Sequence, residues 1–179
     1  MKLILLRHPP IHAEGRCYGR LDMPLPANVL HAALESLQHL QGLTVYSSPA
    51  SRCLQLAKQL SPYPIVWPEL QELDFGTWEG QLWDDIPRTE LDAWAADIWH
   101  YQPGGGENAA SLRQRWHTAC HRLQHTGLSQ AVVVSHAGLI RMALVEAGYL
   151  DESQRWFAPI AHATPYVLEL EPQANLSCG

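Results

Sequence analysis

Apolar residues fall in two rhythms along this chain. Unbroken runs, Leu3-Ile4-Leu5-Leu6 near the start and Ala131-Val132-Val133-Val134 further on, predict strands over residues 2–6 and 131–135. Runs without polar alternation belong to strands buried on both faces. Between them Val29, Leu30, Ala33, Leu34, Leu37 and Leu40 recur at helical spacing, which predicts a helix over 27–40 with Gly42 as its stop signal. Residues 43–46 predict a second strand. Ser47-Ser48-Pro49 then predicts the cap of a helix reaching about residue 60, and residues 65–67 form a third short strand between prolines. Helices over about 108–127 and 136–147 flank the second apolar run, and residues 166–170 predict a last strand. Residues 12–26 read as a loop punctuated by Gly and Pro, and 172–179 as a loose tail. Residues 69–106 carry Trp78, Trp83, Trp94 and Trp99 and predict short helices over one end of the sheet. Strands alternating with helices predict an α/β fold: a three-layer sandwich with a mostly parallel central sheet flanked by helices.

Composition narrows the function classes. A length of 179 residues fits one domain, 1–179, with a helical cap region at about 76–106. Hydrophobic residues at 46% and charged residues at 17% describe a soluble globular chain. A formal charge of −6 supplies no basic field for nucleic acid or anionic lipid, so an anionic ligand must be held by a local cationic site. No stretch approaches a membrane span. Arg7-His8-Pro9 ends the first apolar run too early for a signal peptide. Cys17, Cys53, Cys120 and Cys178 lie far apart with no C-x-x-C spacing, which reads as reduced thiols and a cytoplasmic location.

Chemistry concentrates at the predicted strand ends. His8 follows the first apolar run and His136 the second, and in open α/β sheets ligands gather outside the carboxyl ends of strands. The strand ending near Ser47-Ser48 feeds a helix whose first turn carries Arg52 and whose backbone N–H groups attract an anion. Singly, each is unremarkable: a histidine after a strand is often a structural residue, and Arg52 alone would be a helix-surface charge. Together, two histidines with Arg7 and Arg52 form a set suited to phosphate.

The same segments resemble the histidine phosphatase superfamily, also called phosphoglycerate-mutase-like. Arg7-His8 resembles its opening R-H motif, and Ser47-Ser48-Pro49-Ala50-Ser51-Arg52 with Ala57 its S-S-P-x-x-R-x-x-x-x-A segment. Glu72-Leu73-Asp74-Phe75-Gly76-Thr77-Trp78-Glu79-Gly80 resembles E-x-x-F-G-x-W-E-G, Gly105-Gly106-Glu107 a G-G-E turn, and Ser135-His136-Ala137-Gly138 the S-H-x-G motif. The resemblance covers residues 2–141 in the family's order. It implies a phosphatase acting on a small phosphorylated metabolite through a phosphohistidine at His8. Arg7, Arg52 and His136 would clamp the phosphoryl oxygens, and Glu72 would be the proton donor. It implies no metal and no cofactor, with neither nucleic acid nor membrane as partner, and leaves the oligomeric state open. The run from Cys17 to Leu25 is most similar to the alpha-ribazole phosphatase branch of cobalamin biosynthesis; sugar-phosphate phosphatases, mutases and a non-enzymatic module of the same fold are the alternatives.

The proposed roles also follow from the chemistry. A neutral imidazole is a good nucleophile toward phosphorus, and neighbouring Arg7 and Arg52 disfavour its protonation. Guanidinium forks can neutralise the equatorial oxygens that carry charge in phosphoryl transfer. One carboxyl can protonate the leaving oxygen and then activate water.

One departure stands out. After R-H the family continues with glycine and an acidic residue, whereas this chain has Pro9-Pro10-Ile11-His12. The prolines have no N–H to offer phosphate, so they stiffen the loop, and His12 or Tyr18 is left to replace the donor. Elsewhere, His117, His121 and His125 recur every four residues with Cys120 beside them, which fits either a transition-metal site or a solvated helix face. Trp78 or Trp83 is a candidate for lining a pocket for an aromatic substrate. Gly104-Gly105-Gly106 reads as a turn, since it lacks the lysine of a phosphate loop.

Overall fold

A computed structural model describes residues 1–26, 28–151 and 158–171 of the chain. The tail at 172–179, with Cys178, lies outside the described residues. Strands β1 (Lys2–Arg7), β2 (Val45–Ser47), β3 (Ile65–Val66), β4 (Gln130–Ser135) and β5 (Pro165–Glu169) form one sheet in the order β3-β2-β4-β1-β5. The first four run parallel and β5 is antiparallel to β1. The sheet is thus mostly parallel and sits between helical layers, as expected.

Its central strands are apolar throughout because both faces are covered. Side chains alternate across a strand, so Leu3 and Leu5 of β1 enter one core while Ile4 and Leu6 enter the other. In β4, Ala131 and Val133 face the first core and Val132 and Val134 the second. Helices α4 (Ala109–Gln124) and α5 (Ala137–Glu146) close the first core with Leu112, Trp116, Leu123, Leu139 and Met142. Helices α1 (Val29–Leu37) and α2 (Ser51–Leu60) close the second with Leu37, Leu56 and Leu60. Asn108 starts α4 as its side-chain cap, accepting a 2.9 Å bond from the Ser111 N–H.

Two boundaries differ from the expectation for stated reasons. The helix read over 27–40 ends at Leu37 and tightens into a 3-10 turn at Gln38–Leu40, which keeps Leu40 buried. Helix α2 is preceded by Ala50 rather than by a serine cap, because Ser48 is drawn into the site described below.

The region 69–106 holds 3-10 turns at Gly76–Trp78, Trp83–Asp85 and Pro103–Gly105 and helix α3 (Arg88–Ala96). Its aromatic residues pack on one another: Phe75 meets Trp83 and Trp94 edge-on at 5.6 and 5.7 Å, and Trp83 stacks on Trp94 at 6.3 Å. Trp78 is 2% exposed and donates its indole N–H to Glu90. Gly104, at φ +57°, lies so close to Gly76 that a Cβ there would strike the Phe75 carbonyl at 2.4 Å.

Candidate active site

The parallel pairing of β2, β4 and β1 puts three carboxyl ends side by side. Arg7 pairs with Ser135 and Ser47 with Val134. The next residues stay in step, since the His8 N–H reaches the Ser135 carbonyl and the Ser48 N–H the Val134 carbonyl, both at 3.0 Å. Residues 128 positions apart in the chain thereby become neighbours: the His8 and His136 rings lie 5.4 Å apart, and each residue is 1% exposed.

His8 is oriented by its own next residue. Its Nδ1 is 2.7 Å from the Pro9 carbonyl, which can only accept, so the proton sits on Nδ1 and the lone pair on Nε2. Proline without an N–H thus serves through its carbonyl. Burial, and then the charges of Arg52 and Arg7, pull the His8 pKa down to about 3 against the opposing Pro9 bond. The imidazole is neutral at neutral pH, as a nucleophile must be.

Arg52 leaves the first turn of α2 fully buried, with Nη1 on the Leu21 carbonyl at 3.0 Å and Nη2 on the Gly19 carbonyl at 2.5 Å. Its Nη2 also lies 3.2 Å from His136 Nδ1. A guanidinium can only donate, so His136 accepts at Nδ1 and donates from Nε2 to Ser48 Oγ at 2.8 Å. Burial first, then Arg52, holds His136 well below the usual imidazole range. Arg7 is anchored by a 2.7 Å bond from Nη1 to the Ile160 carbonyl. The Nε atoms of Arg7 and Arg52 are both buried without a hydrogen-bond partner. An unpaired buried donor costs about 1–3 kcal/mol, so two at one place mark a receptor for an acceptor-rich ligand.

Glu72 faces this set from the other side. Its Oε1 accepts from the Leu73 N–H and its Oε2 from the Gly138 N–H at the start of α5, both at 3.0 Å. A Cβ on Gly138 would meet Glu72 Oε1 at 2.4 Å, which is why glycine stands there. The backbone carrying Glu72 is tied down by Arg115, which donates to the carbonyls of Glu69, Gln71 and Glu72 and forks onto Glu107 with two 2.6 Å bonds. A cleft of about 190 Å³ opens beside Glu72 and His136, its other walls made by Gly19, Arg20, Asp22, Gln71 and the Pro49–Ala50 turn, with His8, Arg7 and Arg52 behind its lining.

One expectation needs correction and two gain detail. The helix starts are partly occupied: Asp22 takes the Ser51 N–H and hydroxyl at the head of α2, and Glu72 takes the Gly138 N–H of α5. Trp78 and Trp83 do not line the cleft; they belong to the aromatic cluster beneath the 76–106 segment. Of the two suggested replacements for the missing loop donor, His12 is exposed, and Tyr18 lies under the Arg52 guanidinium at 5.4 Å as a cation–π contact.

Sequence reasoning missed Ser48, Arg115 and His162. His162 donates from Nδ1 to the His8 carbonyl at 2.7 Å and places its ring 5.3 Å from that of His8. No motif or spacing signalled it; only the return of the chain beside β1 brings it there.

The model of the Histidine phosphatase superfamily (branch 1) matches residues 3–176. The 6-phosphofructo-2-kinase/fructose-2,6-bisphosphatase of Caenorhabditis elegans is 30% identical over 196 residues, which cover 94% of this chain and 42% of that protein. The chain therefore spans under half the length of that relative. The Adenosylcobalamin/alpha-ribazole phosphatase of Escherichia coli K12 is 28% identical over 170 residues, covering 87% of this chain and 83% of that protein. In fold, the crystal structure of the Alpha-ribazole Phosphatase from Shigella flexneri superposes with a TM-score of 0.81 at 24% identity, over 96% of this chain and 91% of that one. Among the described residues no helix is long and apolar enough to cross a membrane.

Proposed function

The chain belongs to the histidine phosphatase superfamily, and on that premise we propose that it hydrolyses a small phosphomonoester through a phosphohistidine at His8. The observation that carries this reading is the pair of orphan arginine Nε–H donors beside a neutral, oriented imidazole. His8 Nε2 attacks phosphorus as the ester P–O bond breaks, while the orphan Nε–H donors of Arg7 and Arg52, joined by the His136 Nε2–H as it turns from Ser48 Oγ to the ligand, hold the oxygens on which charge accumulates. Glu72 gives its proton to the leaving oxygen. It then takes a proton from water, which attacks the phosphohistidine, breaks the P–N bond and releases phosphate. Since the Arg7 and Arg52 guanidinium groups supply the positive charge, the reaction runs without a metal ion. We read residues 1–179 as one catalytic unit in which segment 76–106, folded on itself through the Gly76–Gly104 contact, caps the Glu72 side, while the Arg115–Glu107 fork just beyond it stiffens the Glu72 backbone.

As substrate we propose alpha-ribazole 5′-phosphate, in cobalamin biosynthesis within the cytoplasm. The Cys17–Leu25 run and the similarity to the Escherichia coli phosphatase support that choice. A second reading, a broad sugar-phosphate phosphatase, is favoured by the cleft mouth, where Arg20, Asp22 and Gln71 offer hydrogen bonds to hydroxyl groups and no tryptophan lines the wall. Turnover on alpha-ribazole 5′-phosphate against ribose and fructose phosphates separates the two. The covalent step is tested by rapid quenching in alkali: wild-type protein carries an acid-labile phosphoryl group on His8, and a His8→Ala protein that turned over normally would sink the mechanism.

A further inference from the structure

The chain returns to the nucleophile from its far end. Beyond α5 it lies along β1, where the Ala163 N–H donates to the Arg7 carbonyl at 2.9 Å and the Ile160 carbonyl receives Arg7 Nη1 at 2.7 Å. Between them His162 donates from Nδ1 to the His8 carbonyl at 2.7 Å, with its ring tilted 60° against that of His8 at 5.3 Å. The proton must be on Nδ1, because a carbonyl only accepts. Burial, then the charge of Arg7, keeps His162 below its ordinary pKa against that same bond, so the neutral donor prevails.

This arrangement answers a local need. The residues after His8 are Pro9 and Pro10, which have no N–H with which to anchor the loop. The Pro9 carbonyl fixes rotation of the His8 ring, but it is a fixed reference only if the peptide between His8 and Pro9 is itself held. His162 holds that peptide by its carbonyl and packs beside the ring.

We infer that His162 is a positioning residue for His8, holding the His8–Pro9 peptide and the imidazole so that Nε2 stays on the line of attack. The inference rests on His8 being the nucleophile. Misplacing a reacting atom by about 1 Å costs on the order of 10² in rate, so a loosened peptide should be felt at the phosphorylation step.

The test compares His162→Ala, His162→Phe, His162→Asn and His162→Gln with wild type, using p-nitrophenyl phosphate and rapid quenching to time phosphohistidine formation. Asn can put its side-chain N–H where Nδ1–H lies; Phe keeps the ring without the donor; Gln puts its N–H one bond too far. Phosphorylation should slow roughly 10-fold to 10²-fold in the Ala and Phe proteins with KM within about twofold, and Asn should regain most of the loss. Phosphohistidine forming at the wild-type rate in His162→Ala, or Asn no better than Phe, overturns the inference. Should Ala and Phe fail to fold, the Asn and Gln pair decides: Asn clearly faster supports it and equal rates overturn it. A wild-type protein that never carries phosphohistidine removes the His8 reading and this one with it. A labelled His8 with unchanged kinetics in the variants removes this one alone.

Discussion

Two groups of histidines in this protein invite comparison, one obvious along the chain and one assembled across it. His117 and His121 on α4 and His125 at its C-terminal cap follow one another four residues apart and are exposed. There His117 pairs with Glu146 at 2.8 Å, His125 donates to the His121 carbonyl at 2.7 Å, and the His121 and His125 rings sit 4.3 Å apart. Among the described residues no group of three or more His, Cys, Asp or Glu side chains is placed to hold a metal ion. His8, His136 and His162 come from three distant parts of the chain and meet beside Arg7 and Arg52. Burial keeps all three below the ordinary imidazole pKa, helped by Arg7 at each and by Arg52 at His8 and His136. The difference teaches that spacing marks a face, whereas desolvation and convergent partners, which make a histidine reactive, come from the fold.

The comparison can be pressed from its strong side first. His8→Ala should abolish the phosphoenzyme and cost on the order of 10⁴–10⁶ in turnover, as loss of a nucleophile does. Glu72→Gln keeps the shape but moves no proton, so turnover on alkyl esters should fall by about 10²–10⁴ and on a nitrophenyl ester much less. Equal losses on both esters would assign Glu72 to water activation or positioning. Arg52→Ala or His136→Ala should each cost on the order of 10²–10³, with Lys at position 52 a partial rescue because an ammonium lacks the planar fork. A nearly silent Arg52→Ala would reduce that arginine to a structural anchor.

Acid titration sharpens the contrast further. His8 stays neutral in the fold down to about pH 3, whereas in the unfolded chain it takes up a proton near its ordinary 6.5. The unfolded state therefore binds more protons in that window. This part of the stability is full above pH 6.5 and declines as pH falls toward 3, by at most about 1.4 kcal/mol per pH unit. Urea midpoints measured from pH 7 to pH 4 should fall along this slope, and less steeply in His8→Gln. The smallest effect belongs to the α4 face: His117, His121 and His125 changed together to Gln should leave turnover within about twofold, with or without chelator. Chelator-sensitive activity restored by a divalent ion would reverse the comparison and give the face a role.

Much of this was legible along the chain. The apolar runs marked β1 and β4 within one residue, because a strand covered on both faces has no polar position to blur it. Arg7, His8, Arg52, Glu72 and His136 were legible as a set through motif resemblance, and the structure gathers them at one edge of the sheet and its facing wall. The direction of β5 was not legible, since side-chain periodicity is the same in parallel and antiparallel strands. Ser48 reads along the chain as part of a helix cap; its Oγ accepts the Ala50 N–H just before α2 at 3.3 Å, and it also receives the Nε2–H of His136, a partner 88 residues away.

What the sequence determined by itself was therefore local: where the chain is apolar on every face or on one side, where proline removes a donor, and which residue types stand at strand ends. The tertiary structure decided which of ten histidines are dry, which ring nitrogen carries the proton, and that His162 and Arg115 serve the site at all. The physical reason is that a pKa and a tautomer depend on burial and on hydrogen-bond partners, and both are properties of chain segments meeting in space.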